Sequence, residues 1–152
     1  IYEELERQGN LPGSMTFETN GTQKIRQPFI DWVNRIDTEI FFSCSPKLFT
    51  VSGEKSEKAI KPEIVAEYRK ISDKGQLKFV LGPDDREWDE MESVIKQFKE
   101  AGVDWPIWVM PTGAREEEQT AGAGKVAEKA FKRGYNVATR VHVYLFGNAI
   151  GT

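Results

Sequence analysis

The sequence predicts an α/β protein built on a parallel sheet. Short apolar runs rich in aromatic and β-branched residues alternate with longer amphipathic segments along the whole chain. Each apolar run ends in turn chemistry: Asn20-Gly21, Ser45-Pro46, Gly82-Pro83 and Pro111-Thr112-Gly113. Regular alternation of strand and helix implies right-handed β-α-β units. Five strands are too few for a complete eight-stranded barrel of about 250 residues, so an open sheet or a partial barrel is expected, in a single domain spanning residues 1–152.

Ile1–Gln8 reads as the last turns of a helix stopped by Gly9-Asn10, and Ser14–Thr19 as a short alternating strand. Pro28–Ile36 is an amphipathic helix with Pro28 in its first turn and Phe29, Trp32, Val33 and Ile36 on its apolar face. Glu39–Cys44 is the most apolar strand, ending at Ser45-Pro46-Lys47. The polar, lysine-rich Thr50–Ile60 reads as a surface loop. A helix then runs from Lys61-Pro62 through Asp73, and Gln76–Leu81 is a strand. Asp84 and Asp85 cap a long helix over Arg86–Ala101, with Trp88, Met91, Ile95 and Phe98 on one stripe. Pro106–Met110 is a strand, Glu116–Arg133 a helix, and Asn136–Phe146 holds the last strand material before the tail Gly147–Thr152.

Composition narrows the function classes. Of 152 residues, 39% are hydrophobic and 30% charged, the balance of a soluble globular domain. A net charge of −3 argues against a non-specific grip on nucleic acid. A single cysteine excludes an internal disulfide and points to an intracellular, cytoplasmic protein. No signal peptide or long apolar span is evident, so neither secretion nor a membrane partner is expected. The chain opens on Ile1 inside a helix pattern without a capping residue. It is therefore expected to be the carboxyl-terminal part of something longer.

Several residues invite chemistry. Cys44 could be a nucleophile or a metal ligand, but one histidine and no second cysteine give no metal spacing, and a buried small hydrophobe is the plainer reading. Gly122-Ala123-Gly124-Lys125 looks like a phosphate loop. The motif would need glycine at 119 and serine or threonine at 126, where the chain has Gln119 and Val126. Asn20-Gly21-Thr22 fits a glycosylation acceptor or a plain turn; with Glu18 and Thr19 it also puts hydrogen-bonding groups at a strand exit, suited to ribose hydroxyls. At Ser45-Pro46-Lys47, Pro46 ends a strand and Lys47 is either a solvated charge or, with Ser45, a grip on a carboxylate. Lys78, inside an apolar strand, must reach solvent or an anion. His142, two residues after Arg140, is read in the final strand, where it is either structural or a hydrogen-bonding partner for a polar ligand ring.

Four stretches together resemble the radical S-adenosylmethionine enzymes, and within them the 7-carboxy-7-deazaguanine synthase family. Glu18-Thr19-Asn20-Gly21-Thr22 looks like that family's ETNGT strand end, and Ser45-Pro46-Lys47 like its SPK motif. Met110-Pro111-Thr112-Gly113 looks like a variant of a strand end that carries glutamine elsewhere. Val141–Thr152, with His142 followed by Gly-Asn-x-x-Gly, is similar to the closing pattern. ETNGT is shared with glycyl-radical-type activating enzymes, which stand as an alternative; a stand-alone α/β nucleotide- or anion-binding module without redox chemistry is another.

The resemblance covers essentially the whole chain and implies the second half of a partial (β/α) barrel of the radical SAM type. It implies a lyase whose intact form contracts the ring of 6-carboxy-5,6,7,8-tetrahydropterin for queuosine-type biosynthesis. The cofactors would be S-adenosylmethionine, a [4Fe-4S] cluster and Mg2+. Thr19 and Asn20 would lie near the cofactor ribose, Ser45 and Lys47 at its carboxylate, and Met110 near its adenosine. His142 and the carboxylate of Thr152 would face the pterin. The CxxxCxxC cluster motif is not in this sequence. The resemblance therefore implies that this chain binds no cluster, provides no catalytic residue of its own and is inactive by itself. A half-barrel exposes a sheet edge, which self-association into a homodimer could cover.

Overall fold

A computed structural model describes residues 2–113 and 115–146. Five parallel strands form one sheet in the order β1-β2-β3-β4-β5: Ser14–Thr19, Glu39–Cys44, Gly75–Leu81, Ile107–Pro111 and Asn136–Val137. Every neighbouring pair is parallel. The strand order follows the chain order without reversal, so the described sheet has no point at which successive connections turn in opposite directions.

The helices are α1 (Tyr2–Arg7), α2 (Gln27–Val33), α3 (Phe49–Ser52), α4 (Ser56–Ala59), α5 (Pro62–Ile71), α6 (Asp85–Glu100), α7 (Glu116–Lys132) and α8 (Val141–Phe146). The two faces of the sheet differ in the way period-two alternation requires. Ile40, Phe42, Cys44, Leu77, Phe79, Leu81, Ile107 and Val109 are buried in one core with Trp32, Val65, Tyr68, Trp88, Met91, Ile95, Phe98 and Val126 from the helices. Apart from Ser43, which is buried, the residues between them, among them Lys78, Val80, Trp108 and Met110, are only half-buried and share the other face.

Local chemistry explains the boundaries. Pro28 and Pro62 each sit in a first helical turn, where a missing N–H costs nothing. Asp84 caps α6 by accepting from the Arg86 backbone N–H at 3.0 Å. That bond and the Arg86 guanidinium, the larger influence, hold the Asp84 carboxyl down at about 2. The stripe Trp88, Met91, Ile95 and Phe98 is buried as its spacing requires. Gly75 lies flat beneath Trp105, where an added Cβ would fall 2.5 Å from the ring.

Two expectations are corrected. Thr50–Ile60 is not simply a surface loop: α3 and α4 occupy much of it, and Ala59 and Ile60 are buried. Its lysines face solvent while its few apolar residues pack inward, which composition alone does not reveal. The last strand is confined to Asn136–Val137, and residues 141–146, including His142, form a helix rather than a strand. Alternation would put Val141, Val143 and Leu145 on one face. Val143 is buried while Val141 and Leu145 are exposed, so the period is not two. Short apolar runs satisfy both templates, which is why this one misleads.

Candidate functional site

Parallel pairing aligns the carboxyl ends of the strands, and a cavity of about 610 Å3 opens there. Thr19 closes β1 and Asn20 follows it; Ser45 and Lys47 follow β2; Val80 and Met110 are the next-to-last residues of β3 and β4; Arg140 follows β5. All line this cavity, with Glu18, Ser43 and Lys78 one or two positions further in. The register brings Glu18 beside Ser43, Ser43 beside Gln76, and Val80 beside Met110. Thr19, Asn20, Ser45, Lys47 and Met110, spread over 92 positions from Thr19 to Met110 (110 − 19 + 1), thus meet in one place.

The loop after β1 is a built turn. Asn20 Oδ1 accepts from the Thr22 N–H at 3.2 Å and from Thr22 Oγ1 at 2.8 Å, and Thr19 Oγ1 accepts from the Gly21 N–H at 3.0 Å. Asn20 Oδ1 is thereby committed to the turn, so what Asn20 offers a ligand is its amide N–H2. Gly21 has φ +77°, a conformation that suits glycine, and it packs directly on Cys44 and Val65. The Ser45 backbone N–H donates to the Thr19 carbonyl at 2.7 Å, tying the second strand exit to the first.

Charge in the cavity is predominantly positive: Lys47, Lys78 and Arg140 stand against Glu18. Lys78 reaches across β2 and lies 3.3 Å from Glu18 Oε1. Its side chain is 19% exposed against 75% for Glu18, so the lysine is the fixed member and the carboxylate the one free to move into solvent. Gln76 Nε2 donates to Ser43 Oγ at 2.9 Å, fixing the hydroxyl on the floor.

Cys44 takes no part in this chemistry. It is fully buried beneath Gly21 on the core face, and burial pushes its thiol up to about 12. At neutral pH it is a protonated thiol rather than the thiolate that a metal or an electrophile needs. Ellman's reagent is expected to leave native Cys44 unmodified over an hour at pH 8 and to titrate one thiol per chain in denaturant; rapid labelling of the native chain would contradict its burial. Among the described residues no group of three or more His, Cys, Asp or Glu side chains could hold a metal ion. With Cys44 the single cysteine of the sequence, three thiolates for an iron-sulfur cluster are not available in this chain.

Gly122-Ala123-Gly124-Lys125 lies inside α7, not between a strand and a helix, as its imperfect match to a phosphate loop requires. For the two residues expected to face a substrate, His142 has its backbone in α8, and Thr152 lies outside the described residues. Arg140 lines the cavity without any local signal for it, and Ser43 and Val80 were missed as site residues as well. The signal that finds the latter two is the period-two partner rule: Ser43 pairs with Glu18, and Val80 lies two positions from Lys78.

No protein-family model matches this chain, and no curated protein or solved structure matches it significantly.

Proposed function

We propose that the chain is the cofactor-binding second half of a partial (β/α) barrel of the radical SAM type, resembling 7-carboxy-7-deazaguanine synthase, and that its cavity takes S-adenosylmethionine. The observation that carries this is the meeting of Thr19, Asn20, Ser45, Lys47 and Met110 in one cavity at the strand ends. The unreversed strand order supports the barrel. With crossovers of one hand, the connecting helices fall on one side, in keeping with the single core that α2, α5, α6 and α7 share with one sheet face, and the opposite face is the interior that further strands would close around.

When bound, the cofactor supplies an adenosyl group on a positively charged sulfonium. This chain's residues supply placement. Lys47 provides a point charge and Ser45 a donor for the carboxylate; the Thr19–Asn20 turn provides donors for ribose hydroxyls; Met110 and Val80 provide an apolar, polarisable surface for a purine. The sequence holds a single cysteine and so cannot present the CxxxCxxC cluster motif; in this reading the half-site binds and orients without turning over. The substrate proposed for the intact enzyme, a carboxylated tetrahydropterin, is carried by the resemblance alone.

The test is a pair of ligands. S-Adenosylmethionine carries the carboxylate; 5′-methylthioadenosine keeps the adenosine and lacks it. By equilibrium dialysis with the 152-residue chain, Lys47→Ala is expected to weaken S-adenosylmethionine about tenfold, the scale of one charge-assisted hydrogen bond, and to leave 5′-methylthioadenosine unchanged. Equal loss for both ligands, or none for either, overturns the assignment. The predominance of cations also favours a second reading, a nucleotide- or anion-binding module, and AMP binding more tightly than S-adenosylmethionine would select it.

A further inference from the structure

Lys47 is exposed, and its direction depends on how its loop is held. Its neighbours Pro46 and Leu48 are both buried, so the backbone turns Lys47 away from the core and toward the cavity. One end of the loop is fixed by the Ser45–Thr19 backbone bond at 2.7 Å. The other end runs into α3, whose cap residue Leu48 has no polar side chain to offer the first amides. Glu90, on the neighbouring helix α6, takes that part. Its carboxylate accepts from the Phe49 N–H at 2.7 Å, the Thr50 N–H at 2.8 Å and the Thr50 hydroxyl at 2.5 Å. Three donors converge on one carboxylate from a different element, and Glu90 does not line the cavity.

We infer that Glu90 is a positioning residue for the cofactor carboxylate: it clamps the start of α3 and thereby aims Lys47. This rests on the reading of the cavity given above. The bonds are solvent-exposed, so water replaces them when Glu90 is altered, and the fold survives. What is lost is the fixed backbone from which Lys47 projects, and that loss appears in binding energy as ordering cost.

The experiment is a double-mutant cycle on the same chain, read as affinity for S-adenosylmethionine and for 5′-methylthioadenosine. Glu90→Gln keeps the shape and removes the charge. It is expected to weaken S-adenosylmethionine about fivefold in the native background and to cost nothing further in a Lys47→Ala background, because partners acting as one unit are not additive. Affinity for 5′-methylthioadenosine should stay constant across all four proteins. Should Glu90→Gln fail to fold by circular dichroism, Thr50→Val, which removes one of the three bonds, carries the same cycle with an expected loss of about twofold. Losses that multiply across the cycle, or a charge-neutral variant with native affinity, overturn the role of Glu90 and leave the cavity assignment standing. A Lys47→Ala variant with native affinity overturns the cavity assignment and this inference together.

Discussion

Replacing Gly21 with alanine is expected to destabilise the chain by about 3 kcal/mol, combining the cost of a left-handed backbone with overpacking. This corresponds to a fall of about 9 °C in melting temperature for a domain of this size. The added Cβ would lie 2.7 Å from Cys44 Sγ and 2.8 Å from Val65 Cγ2. Neither neighbour is the loose end of a flexible side chain. Cys44 closes β2 and Val65 is buried on α5, both in the core. Relief must come from moving a strand end or a helix, and the strand end carries Ser45. Combining Gly21→Ala with Cys44→Ala removes one of the two clashes and should recover about 1 kcal/mol of the loss, a coupling expected of residues in contact. Thermal melts of the four proteins decide the matter. A Gly21→Ala variant within about 0.5 kcal/mol of the native chain would mean that the loop can lift away from Cys44.

Gly21 also shows what could be read from the sequence at the strand exits around the cavity. Its turn could be read from Asn-Gly alone, and the strand exits at Ser45-Pro46-Lys47 and Met110-Pro111 from proline and glycine punctuation. Parallel pairing then does what no local pattern encodes: it brings exits scattered along the chain to one edge of the sheet. Lys78 stood out because a lysine between leucine and phenylalanine breaks an apolar run. Ser43 did not stand out, because a serine in FFSC resembles a tolerated small residue until register sets it opposite Glu18. The helix at 141–146 defeated the reading for a related reason. In VHVYLF the apolar spacing fits a strand and a helix alike, and the choice falls to packing partners that the sequence does not name. The role of Cys44 was legible as the plainer of two readings. Its proximity to Gly21 was not, since it depends on a contact across 23 positions (44 − 21).

Trp88→Ala is expected to cost about 4 kcal/mol, more than any variant at the cavity and a large part of the stability of a domain of this size. The side chain is 1% exposed, and its indole N–H donates to the Gly82 carbonyl at 3.0 Å. The Gly82 N–H in turn donates to the Glu87 carboxylate, so the turn after β3 is bonded in both directions to the first turn of α6. On the ring, Arg133 lies 4.8 Å and Lys129 5.9 Å from the centroid, which ties the end of α7 to the same tryptophan. Lys129 also bonds the Pro83 carbonyl at 2.6 Å and Asp85 at 2.5 Å. Trp88→Phe separates these contributions. It keeps a large ring in the core and removes the donor, leaving the buried Gly82 carbonyl without its indole partner, and is expected to cost about 2 kcal/mol. Urea titrations of both variants measure the difference. If Trp88→Phe is as damaging as Trp88→Ala, the hydrogen bond to Gly82 outweighs the packing. If it is neutral, the ring alone seats α6, and with it the helix from which Glu90 reaches the loop of Lys47.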